Sequence, residues 1–223
     1  FGDVKPGDIK YKDLNGDGVI DENDRTNIGS PLPKFTFGWT NTFRYKNFDL
    51  SLFINGSYGN KVFNYLGMKL THMNSPWSNQ LNTVLDRAQI VPIDPNKDYS
   101  AGVVVNGVTI YNWYDDITNV RVANAGATIP RASIQDPNDN DRISDRYIED
   151  GSYIRLKNIT LGYTFPVNIS RKALMEKCRI YATAYNPFIY VKDKQLKGTD
   201  PETNGSDAFP TFRQFVFGVN LTF

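Results

Sequence analysis

Residues 13–24 have the residue types and the spacing of a calcium-binding loop. The segment reads DLNGDGVIDEND, which matches the D-x-N-x-D-G-x-I-D-x-x-D pattern of such loops. Calcium prefers about six to eight hard oxygen ligands, and glycine at the sixth position permits the sharp turn. The residues predicted to hold the ion are Asp13, Asn15, Asp17, Val19 through its carbonyl, Asp21 and Asp24. The loop is predicted to bind a structural calcium ion, and the alternative is a metal-free Asp/Asn/Gly turn.

Other residues that could do chemistry are scattered through the sequence. Trp77, Trp113 and Tyr114 could stack on a sugar ring, although loop aromatics more often pack within their own loop. The acids of residues 136–150 could serve a glycosidase, but they lie among Asn, Pro and Gly, as solvated turn acids do. His72, the single histidine, is expected to lie at the surface or to pack within its loop. No catalytic residue is predicted, and the chain is not expected to be an enzyme.

The composition narrows the classes of function. The 25 basic and 24 acidic residues leave a formal net charge of +1, which argues against a nucleic-acid-binding surface. One cysteine and one histidine exclude a disulfide framework and a zinc site built from several Cys and His ligands. Asp, Asn and Gly far outnumber Glu, so strands and elaborate turns are favoured over helices.

Alternation of apolar and polar residues predicts five long β-strands. Residues 35–45 and 48–55 alternate regularly on either side of a tight reversal, and residues 215–223 repeat the pattern. Two less regular strands are predicted at about 153–165, with a bulge between Leu156 and Ile159, and at about 179–190. Pro187 is expected near the end of its strand, because proline cannot donate to a strand ladder.

The strand lengths and the connections favour a membrane barrel over a soluble sandwich. Strands of about 10 to 13 residues can cross a bilayer when tilted, whereas soluble strands average about 5 to 6 residues. Short connections at 46–47 and 167–177 alternate with long ones at about 59–152 and 191–213, as in outer-membrane barrels. Aromatic residues near the strand ends suggest two interfacial girdles: Phe35, Tyr45, Phe48, Tyr58, Tyr153, Phe165, Phe215 and Phe223.

Five strands cannot close a barrel, and an open sheet edge is not tolerated in hydrocarbon. The chain is therefore expected to be a fragment of a larger barrel, and its start at Phe1 rather than Met agrees with this. Residues 1–34 form one predicted region, which contains the calcium motif. Residues 35–223 form the other, which contains the barrel strands.

Several stretches, in the same order, resemble TonB-dependent transporters of the SusC/RagA type. They are GDIKYKDLNGDG at 7–18, IGSPLPKFTFG at 28–38, EDGSYIRLKNITLGY at 149–163, GTDPE at 198–202 and the terminal strand that ends at Phe223. The resemblance implies the C-terminal strands of a 22-stranded antiparallel transmembrane β-barrel in the outer membrane of a Gram-negative bacterium. An N-terminal plug domain would lie outside this chain.

The resemblance also implies an orientation and a set of partners. The turns at 46–47 and 167–177 would be periplasmic. The calcium motif and the long loops, about 59–152 and 191–213, would be extracellular. The implied partners are a SusD-like lipoprotein lid, TonB acting through the missing N-terminal region, outer-membrane lipid, and an oligosaccharide or peptide substrate. Pairs of transporter and lid would dimerise, and no nucleic acid would bind.

The sequence thus supports a nutrient importer, with a glycan preferred to a peptide as the substrate. The alternative from another class is a soluble, secreted, calcium-stabilised β-sandwich that binds carbohydrate through Trp77, Trp113 and Tyr114. A glycosidase that uses the acids of 136–150 is a third and weaker hypothesis, because spacing along a loop does not establish a catalytic separation of carboxylates.

Overall fold

The computed structural model describes residues 4–75, 77–196, 199–203 and 211–223. The chain divides into two compact units. The first unit comprises residues 1–27 and 66–144, and the second comprises residues 28–65 and 145–223. Over the described ranges, no helix is both long and apolar enough to cross a membrane.

The described residues contain eleven strands, of which five are long and six have three residues each. The long strands are β1 (Phe35–Tyr45), β2 (Phe48–Tyr58), β9 (Tyr153–Thr164), β10 (Lys177–Val191) and β11 (Gln214–Thr222). The short strands are β3 (Lys61–Phe63), β4 (Ile90–Pro92), β5 (Val103–Val105), β6 (Val108–Ile110), β7 (Val120–Val122) and β8 (Ile148–Asp150).

The helices of the described residues are short. The α-helices are α1 (Tyr65–Thr71) and α2 (Val167–Ser170). The 3-10 helices are Glu22–Asp24, Asn82–Asp86, Trp113–Asp115, Ile117–Asn119, Asp145–Tyr147, Arg171–Ala173, Lys194–Leu196 and Pro201–Thr203.

The second unit is built on a five-stranded antiparallel sheet in the order β1-β2-β9-β10-β11. Strands β2 and β9 are neighbours in the sheet, although 94 residues (59–152) separate them along the chain. The five strands predicted from alternation are confirmed, with ends that differ by at most three residues. The predicted all-β class with long antiparallel strands is therefore correct.

The strand register places apolar side chains on one face of the whole sheet. Phe43 opposes Leu50, Leu50 opposes Leu161, Leu161 opposes Ala182, and Ala182 opposes Phe217. Because residues directly opposite each other share a face, this apolar face continues across all five strands, and the alternate residues form the polar face. The large side chains of the apolar face that are more than half exposed are Phe35, Trp39, Phe43, Tyr45, Phe48, Leu161, Phe188, Tyr190, Phe215, Phe217 and Val219.

A bulge keeps the apolar face continuous within β9. Ile54 pairs with Leu156 and Phe53 pairs with Asn158, so Lys157 is an extra residue in β9. The predicted bulge is thus confirmed. Because a one-residue slip moves side chains to the other face of a sheet, the bulge explains why the apolar alternation changes phase at this point in the sequence.

Two predictions about the strand ends are wrong. Pro187 does not lie near the end of its strand, since β10 continues to Val191. It lies where the pairing of β10 with β9 shifts register, between Tyr185 and Phe188, and a proline is tolerated at such an irregularity because no ladder hydrogen bond is required of it. Tyr153 does not belong to an aromatic girdle on the apolar face, because it opposes Ser57 on the polar face.

The first unit is irregular and has a small core. Its strands pair as two short antiparallel ladders, β4 with β7 and β5 with β6. A reversal at Asn106 and Gly107, both with positive φ, joins β5 to β6, as expected for an Asn-Gly hairpin turn. The buried apolar residues of this unit are Met68, Ala88, Tyr99, Val120 and Ile129.

Candidate functional site

An ion pair crosses three strands on the polar face of the sheet. In this pair Arg179 of β10 donates from Nε to Asp49 Oδ1 of β2 at 3.0 Å and from an Nη atom to Oδ2 at 2.5 Å. Strand β9 lies between β2 and β10. Gly162 of β9 leaves room for the pair, because a Cβ atom at this position would lie 2.6 Å from Asp49 Oδ1. Asp49, Gly162 and Arg179 therefore act together to hold β2, β9 and β10.

A second ionic cluster lies at the opposite end of the same face. Arg155 of β9 is 2% exposed, and its guanidinium pairs with the carboxylate of Asp200. Its Nε atom also lies 3.8 Å from Glu202 Oε1. Since a buried guanidinium is stable only with a close anionic partner, Asp200 and Glu202 compensate Arg155. The two acids belong to residues 199–203, which we call the anchored segment.

Glu202 fixes the anchored segment to the polar face. Its Oε1 atom accepts hydrogen bonds from the Tyr153 hydroxyl at 2.8 Å and from Asn55 Nδ2 at 3.2 Å, and its Oε2 atom accepts from Lys157 Nζ at 3.2 Å. Burial opposes ionisation of Glu202, but these three donors outweigh it and lower its pKa. The side chain is thus held as a carboxylate by donors from β2 and β9.

Between these ionic clusters the polar face is largely neutral. The Thr160 and Thr183 hydroxyls are hydrogen-bonded at 2.8 Å across β9 and β10. The hydroxyl and amide side chains that the register places on this face include Thr40, Thr42, Ser51, Asn55, Asn158, Thr160, Tyr181, Thr183 and Tyr185. The face offers many uncharged donors and acceptors and few unpaired charges.

The predicted calcium loop lies in the first unit and is ordered by its own side chains. Asp13, at the first position, accepts from Gly16 N at 2.6 Å and Gly18 N at 2.8 Å. Asp24, at the last position, accepts from Leu14 N at 2.7 Å through Oδ1, while Asp21 N donates to its Oδ2 at 2.8 Å. The N–H groups of Asp21 and Leu14 lower the pKa of Asp24 and so favour its ionised form.

The middle positions of the loop are linked in the same way. Asp17 Oδ1 accepts from Val19 N at 2.8 Å, and Asp17 Oδ2 accepts from Asn15 Nδ2 at 2.9 Å. The loop ends in the 3-10 helix Glu22–Asp24, which Asp21 caps. The structure places the predicted ligands in one turn, where their oxygens accept N–H groups, and it does not bring three of the carboxylates within 4.8 Å of one another. Calcium binding itself stays a prediction.

His72 packs inside the first unit and does not lie at the surface. Its imidazole is surrounded by the carboxylates of Asp136 and Asp141. Among the residues that the structure describes, these three form the one group of His, Cys and acidic ligands whose atoms lie within 4.8 Å of one another. No such group is found at residues 13–24.

Of the three aromatic residues that could stack on a sugar ring, the structure brings Trp113 and Tyr114 into contact. Trp113 and Tyr114 are adjacent in a 3-10 helix, with ring centroids 5.8 Å apart in an edge-on arrangement. Trp77 is 93% exposed. All three belong to the first unit. Trp113 and Tyr114 therefore pack on each other, and Trp77 remains accessible.

The acids at the end of the 136–150 stretch have structural partners. Asp150 accepts from Lys192 Nζ at 2.5 Å, and its other oxygen accepts from Ser152 N at 3.0 Å. Glu149 is buried in β8, and this burial, together with the hydrogen bond and charge of Asp193, raises its pKa to about 7. The Glu149 carboxyl is thus partly protonated near neutral pH.

Sequence reasoning missed the clusters around Arg155 and Arg179 because each joins residues far apart in the chain. Asp49 and Arg179 are 130 positions apart, and Arg155 and Asp200 are 45 apart. A usable signal was present: the charged residues Asp49, Arg155 and Arg179 occupy polar-face positions of predicted strands, and a charge in such a position requires a partner on a neighbouring strand or loop. Pairing these residues requires the strand order, which alternation does not provide.

The chain is similar over its whole length to parts of longer proteins. It is 32% identical over 237 residues to "TonB-dependent receptor P3" of Formosa agariphila, covering 100% of this chain and 20% of that protein. It is 30% identical over 225 residues to "TonB-dependent receptor SusC" of Bacteroides thetaiotaomicron, covering 98% of this chain and 18% of that protein. The chain therefore spans about one fifth of the length of these relatives. No protein-family model matches it.

Solved structures share the fold. A structure described as the RagAB peptide transporter matches 92% of this chain and 19% of its own, with a TM-score of 0.60 at 18% identity. A structure of the RagAB peptide importer in an open-open state matches 100% of this chain and 21% of its own, with a TM-score of 0.60 at 20% identity. At this level of identity the match concerns the fold.

Proposed function

Since the chain belongs to the SusC- and RagA-type TonB-dependent receptors, we propose that it forms part of a barrel that imports a nutrient across the outer membrane of a Gram-negative bacterium. The five-stranded sheet would contribute five of 22 strands. In this proposal the receptor performs no bond chemistry. The chain supplies barrel wall and outer loops, and the remaining strands and the plug come from the rest of the receptor.

The observation that carries this proposal is the exposed apolar face. Five neighbouring strands present aromatic and aliphatic side chains on the same side, and eleven of the large ones are more than half exposed. Exposed apolar patches of this extent are rare on soluble monomers and mark contact with lipid or with another protein. Strands of 9 to 15 residues are also long enough to cross a bilayer when tilted. Contact with lipid therefore explains both the length of the strands and the exposed apolar face of the sheet.

The polar face would then line the inside of the barrel, and its chemistry favours an oligosaccharide over a peptide. Its charged residues Asp49, Arg155 and Arg179 are paired, Arg44 and Lys177 add positive charge only at the end of the face near Asp49, and the positions between the two ionic clusters carry mainly hydroxyl and amide groups. Such neutral donors and acceptors match the hydroxyl groups of a glycan, whereas a charged peptide would need unpaired charges of the opposite sign. A glycan is the proposed substrate.

The outer loops would contact the lipoprotein lid and the substrate. We assign residues of 59–152 and 191–213 to the extracellular side, where a SusD-like lipoprotein would cover the mouth of the barrel, and pairs of receptor and lipoprotein would dimerise. The exposed Trp77 and the Trp113–Tyr114 pair are candidates for contact with the lid or the sugar. TonB would act through the plug, outside these 223 residues.

The loop at residues 13–24 would hold a structural calcium ion. The residue types support this proposal, because Asp13, Asn15, Asp17, Asp21 and Asp24 offer hard oxygens within one turn, to which Val19 would add its carbonyl, and the carboxylates would converge when the ion binds. The ion would neutralise the crowded carboxylates and stiffen an outer loop, without a role in transport chemistry.

The test uses the full-length receptor in its native outer membrane. Deletion of the gene should abolish growth on one oligosaccharide as the sole carbon source while growth on peptides is unchanged, and the intact gene should restore it. The receptor should also need detergent for extraction and should migrate differently on a denaturing gel before and after boiling, as closed barrels do. Loss of peptide uptake alone would contradict the substrate proposal. A receptor released without detergent would contradict the barrel and leave the soluble sandwich.

A further inference from the structure

His72, Asp136 and Asp141 bring one imidazole and two carboxylates together within the first unit. His72 directly follows α1, and both acids belong to residues 133–142. Nε2 of His72 lies 2.8 Å from Asp136 Oδ2, and Nδ1 lies 3.2 Å from Asp141 Oδ2. One ligand atom from each of the three residues lies within 4.8 Å of the other two. The two carboxylates are therefore close to each other as well as to the ring.

The charges of this cluster are not balanced by basic side chains. The side chains of His72 and Asp136 are 9% and 7% exposed, and that of Asp141 is 31% exposed. Among the described residues, the ion-pair partner of both acids is His72, and no lysine or arginine pairs with either. The buried Asp116 of the same unit, in contrast, pairs with Lys97 at 2.7 Å. Two neighbouring carboxylates that are shielded from water repel each other unless a cation compensates their charge.

Asp136 is held rigidly by neighbouring groups. Its oxygens accept from Asn140 N at 2.7 Å and from Asn140 Nδ2 at 2.5 Å. Its own N–H donates to Ser133 Oγ at 3.0 Å. Such surrounding hydrogen bonds orient a ligand carboxylate and reduce the entropy that it loses when a cation binds.

We propose that His72, Asp136 and Asp141 bind a divalent transition-metal cation of the zinc class. Such cations accept imidazole nitrogen together with carboxylate oxygen, whereas calcium and magnesium prefer oxygen ligands alone. With bonds of about 2.0–2.2 Å, neighbouring ligand atoms of one ion lie about 3.0–3.4 Å apart, and the 2.8 Å separation of His72 Nε2 from Asp136 Oδ2 is close to this range. The 3.2 Å contact of Asp141 Oδ2 is with the other ring nitrogen, Nδ1, so the partly exposed Asp141 carboxylate would turn towards Nε2 to bind the same ion. One ring nitrogen and one oxygen from each acid bind the ion, and water completes the coordination beside the partly exposed Asp141.

The bound cation would be structural. It links the residue after α1 to residues 133–142, and the same stretch also holds the beginning of the described chain. Ile9 N donates to Asn140 Oδ1 at 2.8 Å, and Ile9 O accepts from Asn138 Nδ2 at 2.9 Å. The ion would therefore strengthen the connection between three separate stretches of the first unit. This site differs from the loop at residues 13–24, which offers oxygen donors and suits calcium.

Protons compete with a metal for its ligands, so binding of the metal weakens as the pH falls. Stabilisation by the metal should thus be largest at neutral pH. The contacts of His72 with Asp136 and Asp141 without a metal are the competing account of the cluster.

The experiment uses the full-length receptor in detergent, stripped with a chelator and titrated with Zn²⁺ at about pH 7.5 and about pH 5.5. The variant is Asp141→Asn. The matched control is Asp139→Asn, a 70% exposed acid two residues away that pairs with Arg142. Wild type and the control should bind one equivalent more than the variant, or bind it at least about tenfold more tightly. Zinc should also raise their thermal midpoints at about pH 7.5 and not at about pH 5.5.

Equal zinc stoichiometry and equal thermal response in wild type and Asp141→Asn would overturn the proposal. A wild type whose thermal midpoint does not change with zinc would assign the cluster to the metal-free contacts of His72 with the two acids instead. If Asp141→Asn does not fold, X-ray absorption of the wild type loaded with its tightest equivalent of zinc decides the matter. One imidazole with oxygen ligands is the expected first shell, and a shell without imidazole would refute the site.

Discussion

The carboxylates of Asp13 and Asp17 order the loop at residues 13–24 by accepting backbone and side-chain N–H groups. We predict that the double variant Asp13→Ala, Asp17→Ala lowers the thermal midpoint of the receptor in calcium. A chelator should lower the midpoint of wild type to a similar value, because both treatments leave the remaining carboxylates without an ion. Differential scanning fluorimetry in calcium and in chelator measures both effects.

Glu22→Gln is the matched control for the calcium loop. Glu22 lies in the same turn, but its side chain is 81% exposed and pairs with the equally exposed Arg25, and such pairs contribute little. This control should behave as wild type. If wild type has the same thermal midpoint in calcium and in chelator, hydrogen bonds alone order the loop and the calcium prediction is wrong.

Glu149 gives the second unit a pH dependence of defined sign. Burial and the neighbouring Asp193 raise its pKa to about 7, above the ordinary value of 4.5 for a glutamate. A carboxyl with a raised pKa binds its proton more tightly in the folded state, so its contribution to stability is fully present below about pH 4.5 and is lost as the pH rises through about 7.

We predict that Glu149→Gln reduces the loss of stability between about pH 5 and about pH 8, because an amide does not titrate. Urea denaturation of wild type and variant across this range measures the effect. Glu176→Gln, in the turn before β10, is the control and should keep the wild-type pH dependence. Parallel pH profiles for wild type and Glu149→Gln would contradict the assignment.

Side chains hold the anchored segment to the polar face. Glu202→Gln removes the negative charge that Lys157 and Arg155 face, while it keeps a similar shape. Because hydrogen bonds to a charged group contribute about 1.5–3 kcal/mol and Glu202 is partly exposed, we expect the segment to lose about 1–2 kcal/mol of local stability. Hydrogen exchange of residues 199–203 should become about five- to thirtyfold faster.

Lys194→Ala is the control for the anchored segment, since Lys194 lies in the same connection and outside the hydrogen bonds of Glu202. It should leave the exchange of residues 199–203 unchanged. Equal exchange in wild type and Glu202→Gln would show that another contact holds the segment.

The long strands could be predicted because one face of the sheet is apolar and the other is polar, so apolar and polar residues alternate along each strand. The bulge in β9 was visible for the same reason, as a change of phase near Lys157. Pro187 and Tyr153 were misplaced because their positions depend on the register of neighbouring strands. Alternation within one strand contains no information about that register.

The candidate sites depend on contacts that a single stretch of sequence does not reveal. The calcium motif was recognisable because its ligands lie within twelve consecutive residues. His72 and Asp136 are 64 positions apart, so their contact follows from the folding of the first unit and not from spacing. A histidine with no sequence neighbour of evident function therefore gave no signal of its partners.

The central claim about the whole molecule is that the apolar face of the sheet contacts lipid. Val219 and Asn220 are neighbours in β11, but Val219 opposes Ile180 on the apolar face and Asn220 opposes Arg179 on the polar face. If the sheet is part of a membrane wall, adjacent residues must alternate between hydrocarbon and water. A soluble sandwich would place the apolar residue in a protein core instead.

The most direct measurement is the accessibility of spin labels in the full-length receptor, reconstituted in lipid, with a single cysteine at position 219 or 220 in a Cys178→Ala background. We predict that a label at position 219 collides mainly with oxygen, which concentrates in hydrocarbon, and that a label at position 220 collides mainly with a water-soluble nickel chelate. Labels that are equally accessible to the nickel chelate at both positions, or that are shielded from both agents at position 219, would contradict a lipid-facing wall.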